Sequence, residues 1–225
     1  MKKILFILVT LHGLSLFAQK DSLRVGDAYL EDQLYVGVTY NQLYNQPNNV
    51  TGSGFSYGFN AGYIRDISLV KSGRLALGIG LGYAFDSFKH GFRITQLAAN
   101  TISVAVDPTL TATHPLTIHA IEFPFEFRWR TSSPNKYRFW RVYTGFKVTY
   151  NLKHTITFTE NNITRQYTNI DRFNKLQYGL TIAAGYSAFN FNFYYGLTPF
   201  FKDASIGTSP IGTKTIKMGL IFYIL

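Results

Sequence analysis

The residues best placed to do chemistry lie in two neighbouring stretches, 121–128 and 140–150. The first carries Glu122, Glu126 and Arg128 at even positions, between Ile121, Phe123, Phe125 and Phe127 at odd ones. The second carries Arg141, Tyr143 and Lys147 at odd positions, against Trp140, Val142, Phe146 and Val148. A period of two is the signature of a β-strand, whose successive side chains point to opposite faces. Both stretches therefore gather charge on one face and bulk on the other. Trp129 and Trp140 flank the turn Thr131-Ser132-Ser133-Pro134-Asn135-Lys136. Pairing the two tryptophans across an antiparallel hairpin sets a register in which Glu122 opposes Lys147, Arg128 opposes Arg141, and Glu126 opposes Tyr143. Charges on an enclosed face must be paired and hydrogen-bonded. The six residues Glu122, Glu126, Arg128, Arg141, Tyr143 and Lys147 are thus expected to form one network. Intramembrane charges often serve as gates or proton paths, but the cost of burial favours a network that fills and pins its surroundings.

An enzyme needs a nucleophile beside a base. His90, His119 and His154, with Ser87 or Ser103, are the candidates, and none stands in a recognisable spacing. A triad is defined by geometry, and histidines near strand ends and loops are ordinarily solvated. His90, His114, His119 and His154 are scattered rather than set at metal-ligand intervals. The chain has no Cys, which removes thiolate metal sites and disulfides. The glycines at 78, 80 and 82 precede no helical pattern, so they are not a phosphate loop. The expectation is a protein that is not an enzyme, with no catalytic residue, cofactor or metal.

The elements that must hold the charged residues follow the same alternation. The run 75–85 places Leu75, Leu77, Ile79, Leu81, Tyr83 and Phe85 on one face and only Ala or Gly on the other. A soluble half-buried strand has a polar second face; a transmembrane barrel strand turns large apolar residues to lipid and small or polar ones to the lumen. Continuing the period gives eight strands, at about 34–44, 55–65, 75–86, 116–130, 138–152, 176–188, 189–201 and 213–225. Each reaches the 9–11 residues that cross a bilayer at the usual tilt. An even number lets the sheet close without an edge in hydrocarbon. Links alternate between short, as at 131–136, and long, as at 45–54, 88–115, 153–175 and 202–212. That is the pattern of short periplasmic turns and long extracellular loops. The fold expected is all-β: an eight-stranded antiparallel transmembrane β-barrel of the outer-membrane type. Trp129 and Trp140 are expected in its interfacial aromatic belt. Pro124 is expected to force a bulge or irregular pairing, and 102–106 to extend a hairpin above the membrane.

The ends and the composition agree with this. Lys2 and Lys3, the apolar stretch 4–11, and Leu16-Phe17-Ala18 form a secretory signal. The expected organisation is a signal peptide at 1–18, a short periplasmic segment at 19–33 and the barrel at 34–225. Losing Lys2 and Lys3 leaves 20 basic side chains against 12 acidic ones, a net charge of +8. The basic residues are dispersed, so the excess points to phosphorylated lipid headgroups or solvated loops rather than nucleic acid. Phe and Tyr supply 20 and 16 residues, yet no apolar run long enough for a spanning helix follows the signal.

The stretch Ile121-Glu122-Phe123-Pro124-Phe125-Glu126-Phe127-Arg128, followed by Pro134-Asn135-Lys136 and Val142-Tyr143-Thr144-Gly145-Phe146, resembles outer-membrane β-barrels of the PorT-like group of Bacteroidetes. The resemblance spans about 34–225, with its specific part at 121–150. It implies a bacterial outer-membrane location and a part in type IX secretion. The function expected is a structural or protein-interaction barrel. The alternatives are a narrow passive channel for ions or small solutes and, more weakly, a lipid-modifying enzyme. Expected partners are outer-membrane lipid and lipopolysaccharide, and other secretion or envelope proteins, around a monomeric barrel.

Overall fold

A computed structural model describes residues 32–46, 54–98, 101–106, 114–131, 139–160, 163–202, 205–206 and 209–224. The signal peptide at 1–18, most of the segment at 19–33 and most of the turn at 131–136 lie outside the described residues. The strands in chain order are β1 (Gln33–Tyr44), β2 (Tyr57–Ser68), β3 (Leu75–His90), β4 (Phe92–Ala98), β5 (Thr101–Val106), β6 (His114–Arg130) and β7 (Trp140–Glu160). They continue with β8 (Ile163–Thr168), β9 (Leu176–Tyr186), β10 (Phe189–Gly196), β11 (Ser205–Ile206), β12 (Ser209–Pro210) and β13 (Lys214–Ile224).

Among the described residues, eight of these strands close into an antiparallel barrel. The order is β6-β3-β2-β1-β13-β10-β9-β7, and pairing of β6 with β7 seals it. First and last strands pair along their whole length, from Leu34 opposite Ile224 to Tyr44 opposite Lys214. Closure satisfies the backbone without an open edge, as hydrocarbon requires. The start of β1, the end of β13, the links after β2 and β9, and the facing ends of β6 and β7 share one rim, which is the periplasmic one by the outer-membrane rule. The long links share the other. There β4 and β5 form the hairpin expected around 102–106, and β8 folds back on the upper part of β7.

The alternation is physical. In β9, Leu176, Tyr178, Leu180 and Ile182 are exposed, while Gln177, Thr181 and Ala183 are buried. Leu77, Ile79, Leu81 and Tyr83 are likewise exposed on β3, opposite buried Ala76, Gly78 and Ala84. Exposed apolar bulk in this arrangement is the lipid face. No helix among the described residues is long and apolar enough to cross a membrane.

One expectation is corrected and another is refined. Trp129 stands opposite Val142, not Trp140, so the β6–β7 register is displaced by two residues. The shift preserves the faces because side chains repeat every second residue. At Pro124 the expected irregular pairing is present, but the bulge itself is elsewhere. It lies between His119 and Ala120, where β7 carries the extra residue Leu152. At Pro124 the ladder to β3 is interrupted between Ile79–Phe125 and Gly82–Glu122, with the register unchanged. A proline has no N–H to give there, and its ring lies over Gly80, whose missing Cβ would come within 2.9 Å of Pro124 Cγ.

Candidate functional site: a filled lumen and its outer cap

The interior is occupied from end to end by polar clusters supplied by six strands. At mid-barrel Glu122, on β6, accepts hydrogen bonds from Lys147 Nζ at 2.8 Å, Tyr35 Oη at 2.7 Å and Asn60 Nδ2 at 3.0 Å. Its side chain is only 3% exposed, and that of Lys147 13%.

Nearer the periplasm Arg128 lies between two carboxylates, at 2.5 Å from Asp66 and 2.9 Å from Glu126. Arg130 pairs with the other oxygen of Asp66 and donates to the Gly73 carbonyl at 2.7 Å. The Arg128 guanidinium also covers the Tyr143 ring at 4.5 Å and the Tyr223 ring at 5.5 Å. Arginine suits this position because its planar fork can be shared between acids while its face stacks on rings. Arg141 donates to the Ser187 carbonyl at 2.5 Å and stacks on Phe139.

Toward the exterior Asp86 pairs with Lys217 at 2.5 Å and accepts from Asn41 at 2.8 Å.

Small residues make the room. A Cβ on Gly78 would come within 2.6 Å of Arg128 Nε, and one on Gly82 would collide with the Tyr35 hydroxyl. The bare face of β3 is thus the space into which Arg128 and Tyr35 fold. Small interior cavities remain among the described residues. One of about 20 Å³ is bordered by Asn60, Asp86, Glu122, Lys147 and Lys217, and one of about 10 Å³ by Tyr35, Pro124 and Glu126. Each has room for about one water.

The six residues singled out in the sequence all face this interior. The pairs they form differ from the register expected: Glu122 stands opposite Thr149, Glu126 opposite Gly145 and Arg128 opposite Tyr143. Arg141 stands opposite Arg130, donates to the Ser187 carbonyl and lies over the Phe139 ring. Sequence reasoning missed Asp66, Asp86, Arg130, Lys217, Tyr35 and Tyr223. All six sit at the inward parity of their strands, so alternation carried far enough would have found them.

Trp129 and Trp140 are both exposed, at 43% and 60%. They lie at the periplasmic ends of β6 and β7. Trp140 stands opposite Tyr186 and makes an edge-on contact with it at 5.5 Å. Phe189 meets Phe222 edge-on at 5.3 Å at the same rim.

Above the ion pairs an apolar cap closes the outer mouth. Leu43, Phe88, Leu116, Ile118, Ile156, Ile170, Phe173, Phe200 and Phe201 form one buried cluster. Two links supply its top: Phe173 bridges to Phe201, and the Asn174 amide donates to the Phe200 carbonyl at 2.7 Å. His154 is part of this cap rather than a solvated histidine. The bulge at Leu152 turns both Leu152 and Lys153 outward, which sends His154 inward. Its ring stacks on Phe173 at 4.0 Å, and Nε2 accepts the Ile170 N–H at 2.7 Å. Burial, and secondarily the charge of Lys175, push its pKa down to about 4. His90 is buried on β3, whereas His119 faces outward and bonds Tyr83. The side chains of His114 and Ser103 lie outside the described residues. The histidines thus sit in separate environments on three strands.

A family model described as "Outer membrane protein beta-barrel domain" matches residues 17–202. No curated protein matches the chain. Among solved structures it is similar to Ail, the attachment invasion locus protein of Yersinia pestis. The likeness has 10% identity and a TM-score of 0.36, and covers 85% of this chain and 96% of that one. The closed eight-stranded barrel, its lipid-facing exterior and the family match over most of the chain make this protein a member of the outer membrane β-barrel domain family, resident in the outer membrane.

Proposed function

We propose that this protein is a closed, non-enzymatic barrel, exported by its N-terminal signal, that works as a structural or docking element of the cell envelope. The observation that carries this reading is the filled lumen: Glu122–Lys147, Asp66–Arg128–Arg130 and Asp86–Lys217 occupy successive levels, with an apolar cap above them. A side chain held by two or three partners leaves a solute no path unless buried charges are separated, at a cost of about 3–5 kcal/mol per broken pair. Work is then left to the rims. Resemblance of 121–150 to PorT-like barrels supports placing those partners in the type IX secretion apparatus.

Affinity purification of the full chain from native outer membranes tests this. The reading expects a stoichiometric envelope-protein partner that is retained in mild detergent. Recovery of the barrel alone under several mild conditions, with wild-type secretion after deletion, contradicts it.

A further inference from the structure

One strand of the main sheet lies outside the closed barrel. β8 stands last in the strand order and, among the described residues, pairs only with β7. It begins above Leu152 and Lys153, where the lipid-facing series of β7 ends, so its second edge stands in water on the extracellular side. The pairing with β7 runs without a register shift from Thr155 opposite Thr168 to Glu160 opposite Ile163. Only residues 161 and 162 join the two strands, so Glu160 and Ile163 exchange both main-chain hydrogen bonds. Bonded pairs then recur at Arg165 and Tyr167. The Asn169 N–H donates to the His154 carbonyl at 2.9 Å, which continues the same phase. The N–H and C=O groups of Thr164, Gln166 and Thr168 therefore point away from β7, to the open edge.

This edge carries none of the devices that ordinarily blunt one. β8 has no proline, no lysine and no bulge, and Arg165 is its one charge. Ile163 is 58% exposed, and Thr164, Arg165 and Gln166 are exposed beside it. A two-stranded ribbon in water is marginal by itself; a third strand satisfies its open main-chain groups. The two faces of β8 specify that strand. Tyr167 packs on the apolar cap, and Ile163 and Arg165 share its face. The other face is polar. There Thr168 Oγ1 meets Thr155 Oγ1 at 3.3 Å and Thr164 Oγ1 meets Thr159 Oγ1 at 3.0 Å, with Gln166 between them. A strand laid beside β8 is matched when polar and apolar side chains alternate along it.

A second copy does not supply that strand. Two barrels upright in one membrane are related by an axis along its normal, and such an axis leaves both β8 strands running the same way. They cannot meet antiparallel, which is the stronger pairing per residue.

We infer that the open edge of β8 is a docking site for an extended polypeptide segment of an envelope partner, which alternates polar and apolar residues and adds to the sheet as an antiparallel strand. The inference rests on the docking role proposed above and assigns it to the extracellular rim.

The probe is a labelled peptide with the sequence of residues 155–160, which has the required alternation and already pairs antiparallel with β8 in the fold. Its binding to the full chain in nanodiscs is read by fluorescence polarisation, with empty nanodiscs as the blank. Wild type is expected to bind it. Q166P should bind roughly tenfold more weakly, because proline there removes an N–H from the open edge and none from the β7 ladder. Q166T, which keeps the main-chain donor, should bind as wild type does. The peptide N-methylated at every residue should not bind wild type, a measurement that needs no variant to fold. Folding of the variants is checked by heat-modifiable gel migration. No saturable binding to wild type, equal binding by folded Q166P, or equal binding of the methylated peptide overturns the edge. Dimers that the peptide dissociates overturn the partner in favour of a second copy. Affinity purification from native outer membranes separates the edge from the docking role itself. A partner kept by wild type and lost by Q166P supports both; a partner kept by both proteins overturns the edge and leaves the docking role standing. With no partner from wild type the docking role fails, and peptide binding alone decides the edge.

Discussion

Lys147 reaches Glu122 diagonally across the β6–β7 pair: Lys147 stands opposite Pro124 and Glu122 opposite Thr149, yet Nζ and Oε2 are 2.8 Å apart. The diagonal arises because Lys147 is long and Pro124 leaves the space beside it unfilled by polar atoms. Removing one partner strands a charge in the lumen, whereas replacing both by apolar groups removes the desolvation cost as well. Glu122→Leu and Lys147→Met are each expected to destabilise the barrel by about 3 kcal/mol, and the double variant by clearly less than their sum. Urea unfolding followed by gel migration measures all three. Additive losses contradict the coupling.

Gly82 gives way to the Tyr35 hydroxyl that donates to Glu122. Gly82→Ala is therefore expected to cost about 1–3 kcal/mol by overpacking. Tyr35→Phe should recover part of that loss in the Gly82→Ala background while being destabilising alone. The same unfolding assay reads this; full additivity would contradict the contact.

His154 makes the outer cap sensitive to acid. Its pKa falls from 6.5 to about 4 in the folded barrel. Between those values the unfolded chain binds a proton and the folded one does not, so stability rises with pH across that window and is lost as pH falls from 6.5 toward 4. A protonated ring would also turn an N–H against the Ile170 amide it now accepts. Amide exchange at Ile170 is expected to speed up, relative to mid-barrel amides, on going from pH 7 to pH 4.5 after correction for intrinsic rates. His154→Gln should flatten the response. Unchanged relative protection contradicts the role.

The register can be checked covalently because the native chain has no Cys. Trp129→Cys with Val142→Cys are register partners, within the Cα separation a disulfide tolerates. Trp129→Cys with Trp140→Cys are offset by two residues and should oxidise poorly. The reverse outcome would restore the tryptophan pairing.

Much of this molecule is legible in the sequence because one rule generates it. Lipid on one side and a narrow lumen on the other force the period of two, so Leu75 to Phe85 declares its faces before any partner is known. Faces survive an error of two in register, which is why Glu122 and Lys147 are correctly placed inward while Trp129 is paired with the wrong residue. What alternation cannot supply is where it breaks. Leu152 reads as one more outward residue, and only the bulge beside it explains why His154 points in and Lys153 out. Asp66 and Lys217 escape notice for another reason: each is a single charge on its strand's inward face, and its meaning appears only when closure brings Asp66 to Arg128 and Arg130, and Lys217 to Asp86.

The central claim is that these ion pairs keep the lumen shut, and single-channel recording on the purified full chain in planar bilayers tests it most directly. The account predicts no steady conductance from the native barrel at neutral pH, with current appearing in Glu122→Ala/Lys147→Ala, where the mid-barrel pair is truncated. Stable, reproducible channels from the native protein would contradict it.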